Sequence, residues 1–465
     1  MRLSSKSLLI ATAIICHFAV VGVIGAQTIP NPYADVLAAD KEVPPYVKES
    51  PPQEKSPTES DGLLLTDELK SAAEHIQIGD CPPAPAEKEK PKYPTIIVTG
   101  VAQIDGIWFS QDEANRDVVG EARDDAGFRR ARLGVKGDLT ENVSYMMEYD
   151  FAFPGRPSFM DVYVDIADLF EVGHFRVGQW RQPLGLEALT SVRDLMFMER
   201  SLAFALVPFR QTGIGLYNTA FQEDATWAIS GYRFPTDAFG DIAGDRGYGM
   251  STRETFLIYY DECGNTIHLG GGYSWNAPST HLLRIRSTPE VGFTQLDINN
   301  ITDFPIPFFV NTGFLPTDDY QVANAEFAVG TGSLLFQAEY FYAVLNQFNG
   351  PSLNFPAMYA QLGYVLTGER REYNRQAGVY GRVVPKCPYG KAGNGAWEVA
   401  TRYSMIDLND ADVQGGRLQD FTFGLNWYLN KFTRFEFNYI HPFLDRPVGN
   451  YTHADICAVR AQFDF

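Results

Sequence analysis

Residues 454–465 read ADICAVRAQFDF and alternate from one end to the other. Cys457, Val459, Ala461, Phe463 and Phe465 fall in one phase; Ile456, Ala458, Arg460, Gln462 and Asp464 fall in the other. The period of two in a strand sends the two sets to opposite faces. One face is apolar throughout, and the other carries Arg460, Gln462 and Asp464. A strand of a soluble sandwich tolerates this pattern. A closed barrel in an outer membrane requires it, with lipid on one face, water on the other and aromatic rings at the interface. The segment therefore points to an all-β chain, a transmembrane antiparallel β-barrel.

The other end of the chain agrees. Arg2 and Lys6 precede an apolar run over 8–25, and small residues lead to an expected cut before Gln27. This predicts a cleaved secretory signal over 1–26 rather than an anchor. No later stretch approaches the ~20 apolar residues of a membrane helix, so any crossing is made by strands. Residues 27–94 are dense in Pro, Glu and Lys, too polar to build a core. They read as a semi-rigid periplasmic spacer with one short helix inside 63–78. A segment that touches the cell wall or closes the barrel mouth is the alternative.

From Thr95 onward the period is two, in segments of about ten residues parted by turn residues. Candidate strands are 96–108, 129–139, 143–153, 160–169, 173–180, 213–218, 226–234, 254–261, 266–275, 282–287, 320–329, 334–343, 358–367, 378–385, 397–404, 421–429, 433–440 and 454–465, an expected barrel of about 16–18 strands. Tight turns at 138–142, 167–172, 261–265 and 430–432 belong on the periplasmic side; long connections at 180–208 and 440–453 belong outside. In the second segment Arg130, Arg132 and Lys136 oppose Ala131, Leu133 and Val135. Near the end Arg434, Glu436 and Asn438 oppose Phe435, Phe437 and Tyr439. A charge facing lipid at the midplane costs ~2–4 kcal/mol, so these arginines face the lumen. A polar interior of that size is a water channel.

Particular segments carry a resemblance. MYAQLGYVLTGERR (358–371), GVYGRVVP (378–385), GAWEVATRYSMIDLN (395–409) and FGLNWYLNKFTRFEFNYIH (423–441) stand beside FRRARLGVKGDL (128–139) and VGQWRQPLGLEALTSVRDLMFMERSL (177–202). Over 95–465 the chain resembles the phosphate-selective porin O/P family. The resemblance implies an outer-membrane barrel of about sixteen strands that assembles as a homotrimer. It also implies a third loop folded into the pore and arginines along an anion path. By position, 180–208 is that loop.

Charge pulls the other way. The formal net charge is −19, and 95–465 holds 29 basic against 44 acidic residues, only four of the basic ones lysines. A pore that concentrates phosphate needs a positive lumen, because like-charged walls repel the ion by several kT. Glu148, Asp150, Asp161, Asp165, Glu398 and Glu436 share the lumen phase. The expectation is a porin for passive diffusion of small hydrophilic solutes or ions, with at most moderate anion preference. Its candidate anion contacts are Arg130, Arg132, Lys136, Arg284, Arg286, Arg402, Arg434 and Arg460 on lumen-phase strands. Arg181, Arg193 and Arg200 join them at the constriction, beside Glu187, Asp194 and Glu199. Arg370, Arg371 and Arg375 fall in an expected external loop. The competing reading is that lumenal Arg and Glu pair across strands only to hold the wall.

Other function classes find less support. His268, His281 and His441 have no convincing Ser and Asp companions, and there is no GxSxG, HExxH or Gly-rich phosphate loop. Neither metal nor cofactor is expected, nor a nucleic-acid partner; the partners are outer-membrane lipid and small ions. A structural barrel tethered to the cell wall by 27–94 is the alternative function. Cys81, Cys263 and Cys387 map to the periplasmic side and Cys457 to the lipid face. In an oxidising compartment a Cys263–Cys387 or Cys81–Cys387 bridge competes with free thiols.

Overall fold

The computed structural model describes residues 92–465 apart from 153–155, 170–171, 238, 242–246, 293–305, 391–392 and 447–450. The expected signal, spacer and Cys81 lie outside the described residues. Among these residues sixteen strands close one barrel, each antiparallel to its neighbour. They are β1 (Ile97–Gln111), β2 (Asp125–Asp138), β3 (Val143–Asp150), β4 (Ser158–Leu169), β5 (Gly173–Arg181), β6 (Arg210–Ala220), β7 (Ala225–Arg233) and β8 (Tyr248–Tyr260). The second half runs β9 (Thr266–Ala277), β10 (Asp319–Thr331), β11 (Leu334–Asn346), β12 (Leu353–Val365), β13 (Ala396–Asp410), β14 (Val413–Tyr428), β15 (Thr433–Asp445) and β16 (Thr452–Asp464).

Alternation decides which way each strand faces. On β15, Phe437 and Tyr439 are 44% and 40% exposed on the outer face, while Arg434 and Glu436 are 3% and 0% exposed on the inner one. β16 turns Arg460, Gln462 and Asp464 inward and leaves Cys457 and Phe463 outside. Closure is made where β16 returns to β1, in register from Val101 opposite Asp464 to Gln111 opposite Ala454. Gly100 and Phe465 exchange two backbone hydrogen bonds of 3.1 Å. A Cβ on Gly100 would lie 2.6 Å from the Phe465 ring, so a side chain there would push the ring aside.

Two of the expected strands are not part of the wall. Arg286–Ser287 pairs with Val310–Asn311 and Leu282–Leu283 with Leu315–Pro316, all inside one long connection. Val379–Val383 pairs with Arg371–Asn374 inside another. These pieces satisfy their backbone groups locally and are too short to span the ~25 Å apolar band. The expected long connection 440–453 also shrinks, because β15 continues to Asp445 and β16 begins at Thr452.

Short connections, including 139–142, 221–224, 261–265, 332–333 and 429–432, gather at one edge, which is the periplasmic one by the usual asymmetry of outer-membrane barrels. The opposite edge carries the long third and fifth connections, 182–209 (L3) and 278–318 (L5). One long connection breaks the rule: 366–395, between β12 and β13, lies on the short-turn edge. Arg370, Arg371 and Arg375 therefore sit on the periplasmic side, not in an external loop. There the Cys387 carbonyl accepts from the Gly395 N–H just before β13 at 3.1 Å, while the Tyr389 N–H donates to the Leu429 carbonyl just after β14 at 2.7 Å. Cys263 belongs to the β8–β9 turn. Four strand spacings from β9 to β13 amount to roughly 19 Å along the wall, and neither cysteine is bonded to another among the described residues. The Cys263–Cys387 bridge is not formed.

The interior also departs from expectation. It is not polar throughout. Inward residues of β10–β14 (Val322, Phe341, Phe355, Ile406, Leu418) bury Leu202 and Leu206 of L3 with Phe309 and Val310 of L5 in one apolar cluster. Each such side chain contributes about 1.5–3 kcal/mol when buried. L3 and L5 thus occupy the lumen beside β10–β14, and open space lies toward β2–β8.

Candidate functional site

L3 is held against the wall by polar groups that the alternation had already turned inward. Its one-turn helix Leu186–Leu189 points its first amides at a carboxylate of β11: the Leu186 and Glu187 N–H groups both donate to Glu339 at 2.8 Å. Arg402 on β13 donates to Glu187 at 3.0 Å and to the Glu199 carbonyl at 3.0 Å. Arg434 on β15 donates to the Leu195 carbonyl at 2.8 Å, and Asn426 on β14 to the Met196 carbonyl at 2.8 Å. Arg460 on β16 pairs with Asp105 and Glu199, each at 2.7 Å. L5 is pinned by Glu290, which accepts from Ser404 and Thr422 at 2.5 Å and pairs with Arg402.

From below, the 366–395 connection sends its hairpin into the barrel. Arg371 pairs with Glu398 at 2.8 Å and donates to the Asp194 carbonyl of L3 at 2.6 Å. Arg382 bridges Asp194 at 2.8 Å and Asp464 at 2.7 Å. The tip carbonyls of Ala377 and Gly378 accept from Arg253 on β8 at 3.2 and 2.8 Å.

Among the described residues, two chambers lie against the wall of β2–β8. The upper, about 550 Å³, is lined by Arg129, Arg130, Arg132, Arg200, Arg210 and Arg286, with Glu199 and Glu290 as its carboxylates. The lower, about 270 Å³, is lined by Arg176, Arg181 and Arg253 with Asp161. At their junction Arg210 pairs with Asp161 at 2.9 Å, and Arg181 approaches it at 3.9 Å. Among the described residues, nine arginines and three carboxylates line the two chambers. Arg129 owes its place to a bulge: Gln103 pairs with Arg130 and Ile104 with Phe128, leaving Arg129 as the extra residue. A bulge re-aims side chains, and here consecutive arginines reach one carboxylate, Glu199, at 3.0 and 2.8 Å. Burial alone would raise the Glu199 carboxyl, but Arg129, Arg130 and Arg460 hold it well below the usual carboxylate range.

The family model for phosphate-selective porin O and P matches residues 106–465. The chain belongs to that family. Porin O of Pseudomonas aeruginosa is 26% identical over 356 residues, which cover 71% of this chain and 80% of that protein. An uncharacterized protein of Caulobacter vibrioides is 29% identical over 335 residues, 68% of this chain and 62% of that longer protein's length. Among solved structures, in-vitro folded OmpT of Vibrio cholerae aligns at a TM-score of 0.49 and 12% identity, over 82% of this chain and 100% of its own. An anion-selective porin from Comamonas acidovorans aligns at 0.46 and 12%, over 79% and 99%.

Within this porin the expected anion contacts separate into three groups. Arg130, Arg132, Arg181, Arg200 and Arg286 line the chambers. Arg402, Arg434 and Arg460 do not: their side chains are 0–3% exposed and serve to clamp L3. Arg193 joins L3 to Glu148 on β3 at 3.0 Å. Lys136 is exposed near the periplasmic end of β2, outside both chambers. Arg284 lies in L5 rather than on a wall strand, donating to Asn311 at 2.9 Å. Four lining arginines were missed. Arg129 stands in the wrong phase until the bulge is known. Arg210 and Arg253 lie just before the expected strands 213–218 and 254–261, while the structure starts those strands earlier, at Arg210 and Tyr248. Arg176 was visible, opposite Phe175 and Val177 in the period of β5.

Proposed function

We propose that this outer-membrane porin passes small anions by passive diffusion and prefers them to cations through the arginine lining of its pore. One observation carries the reading: nine arginines against three carboxylates line the two chambers, in a chain whose net charge is −19. Charges on outer loops are screened beyond about 8 Å at physiological salt. The local lining therefore governs an ion inside the pore, where low-dielectric walls focus its field. Guanidinium forks suit oxyanions and stay charged at every working pH, and the name of the Pseudomonas relative's family agrees with phosphate as one such ion. The test is reversal potential across a bilayer under a potassium chloride gradient. A potential of the anion-selective sign supports the reading, and a cation-selective one overturns it. Family membership also supports assembly as a homotrimer; cross-linking of native outer membranes that yields only monomer would overturn that.

A further inference from the structure

The lower chamber is lined by more than charge. Tyr163, Trp180 and Tyr217 stand around its arginines. The Arg176 guanidinium lies 3.9 Å from the Tyr163 ring centre and 4.8 Å from that of Tyr217. It also donates to Asp165 at 2.8 Å and to the Tyr217 hydroxyl at 2.7 Å. With its faces covered and its fork engaged, Arg176 acts as a fixed positive wall. Arg181 is different. It makes one hydrogen bond among the described residues, to the Leu189 carbonyl at 2.5 Å, and its side chain is 25% exposed. Its Nε faces the Asp161 carboxylate at 3.9 Å, and its Nη2, with no hydrogen bond among the described residues, is the donor left for a ligand. Beside it Trp180 lies over Gly215, where any Cβ would come within 2.9 Å of the indole. The smallest residue makes space for the largest one.

Aromatic faces carry negative quadrupole charge. A bare inorganic anion gains nothing from those faces, so the rings beside the three arginines are poorly matched to such an ion. A molecule with an anionic end and a flat ring gains from both. The volume, about 270 Å³, lies near the lower limit of ~300 Å³ for small-molecule sites. The geometry points to a binding subsite in this chamber for aromatic oxyanions, aryl phosphates or aryl carboxylates. Arg181 holds the anionic group, and Trp180 and Tyr163 stack on the ring. The inference rests on the anion reading above and goes beyond it by naming the organic half of the solute.

The experiment is block of chloride current through the full-length porin in planar bilayers, by phenyl phosphate, inorganic phosphate and phenol. Phenyl phosphate is expected to block at about tenfold lower concentration than inorganic phosphate, two ring contacts together supplying that factor. Trp180→Leu and Tyr163→Leu, each shown to insert as channels, should each shrink the difference. Equal potency of the two phosphates overturns the subsite and leaves the anion reading standing. A difference that survives in both variants overturns it too, as does phenol blocking as well as phenyl phosphate. A cation-selective pore blocked by neither phosphate overturns both readings together.

Discussion

Glu199 gathers three guanidinium groups, Arg129, Arg130 and Arg460, at 2.7–3.0 Å. They are not equivalent. The Arg460 side chain is fully buried, whereas that of Arg129 is 23% exposed in the upper chamber. Removing one partner of a buried pair costs ~3–5 kcal/mol, while an exposed pair is worth ~1 kcal/mol or less. Arg460→Gln should therefore lower the urea midpoint markedly. Arg129→Gln should leave stability nearly unchanged and move the reversal potential toward cations. Acid should act through the same cluster. A carboxyl depressed in the folded state contributes stability above its unfolded pKa, which is lost only as pH falls through the folded value. Because Glu199 is held low, its hold on L3 should persist below about pH 4, where an ordinary carboxylate is already half protonated. Single-channel conductance measured between about pH 7 and pH 4 should show no step from release of L3; a step above pH 4 would contradict this. None of this was legible in the alternation. Period two assigns Arg129 to lipid, and only pairing with β1 reveals the bulge.

The two insertions show what alternation conveys about an element and where it stops. The family resemblance implied that L3 enters the pore, and it does, held by Glu187, Asp194 and Glu199. The hairpin at 371–383 alternates as well as any wall strand, and its sequence gives it the same two faces. Length gave no signal either: the expected strand 378–385 is as long as the expected 254–261 and 397–404, which belong to the wall, and only the structure shortens it to Val379–Val383. Its Arg371 and Arg382 reach L3 from below, so the periplasmic insertion buttresses the constriction. Replacing 370–384 by a short glycine-serine link should raise single-channel conductance, since its tip at Gln376 and Ala377 lines the lower chamber. Conductance equal to the parent channel in the assembled variant would place the insertion outside the current path.

For the molecule as a whole, net charge misleads about the pore. The −19 of the chain is spread over spacer, loops and wall, and several inward carboxylates are spent on partners: Asp165 on Arg176, Asp150 on Arg132, Glu398 on Arg371. Of the two readings of lumenal arginine made from the sequence, pairing is what the structure shows, and the anion path belongs to the proposal. Arg402, Arg434 and Arg460 clamp L3; Arg129, Arg181 and Arg210 line the chambers. The sequence by itself determined the barrel, its inward and outward faces and its tight turns, because lipid and water impose a period of two and every backbone group in the membrane must be paired within the sheet. Only the tertiary structure decided which short strands leave the wall, where a bulge turns Arg129 inward, and which side of the lumen L3 and L5 occupy. Those outcomes depend on contacts between residues far apart in the chain, and such contacts leave no periodic trace in the sequence.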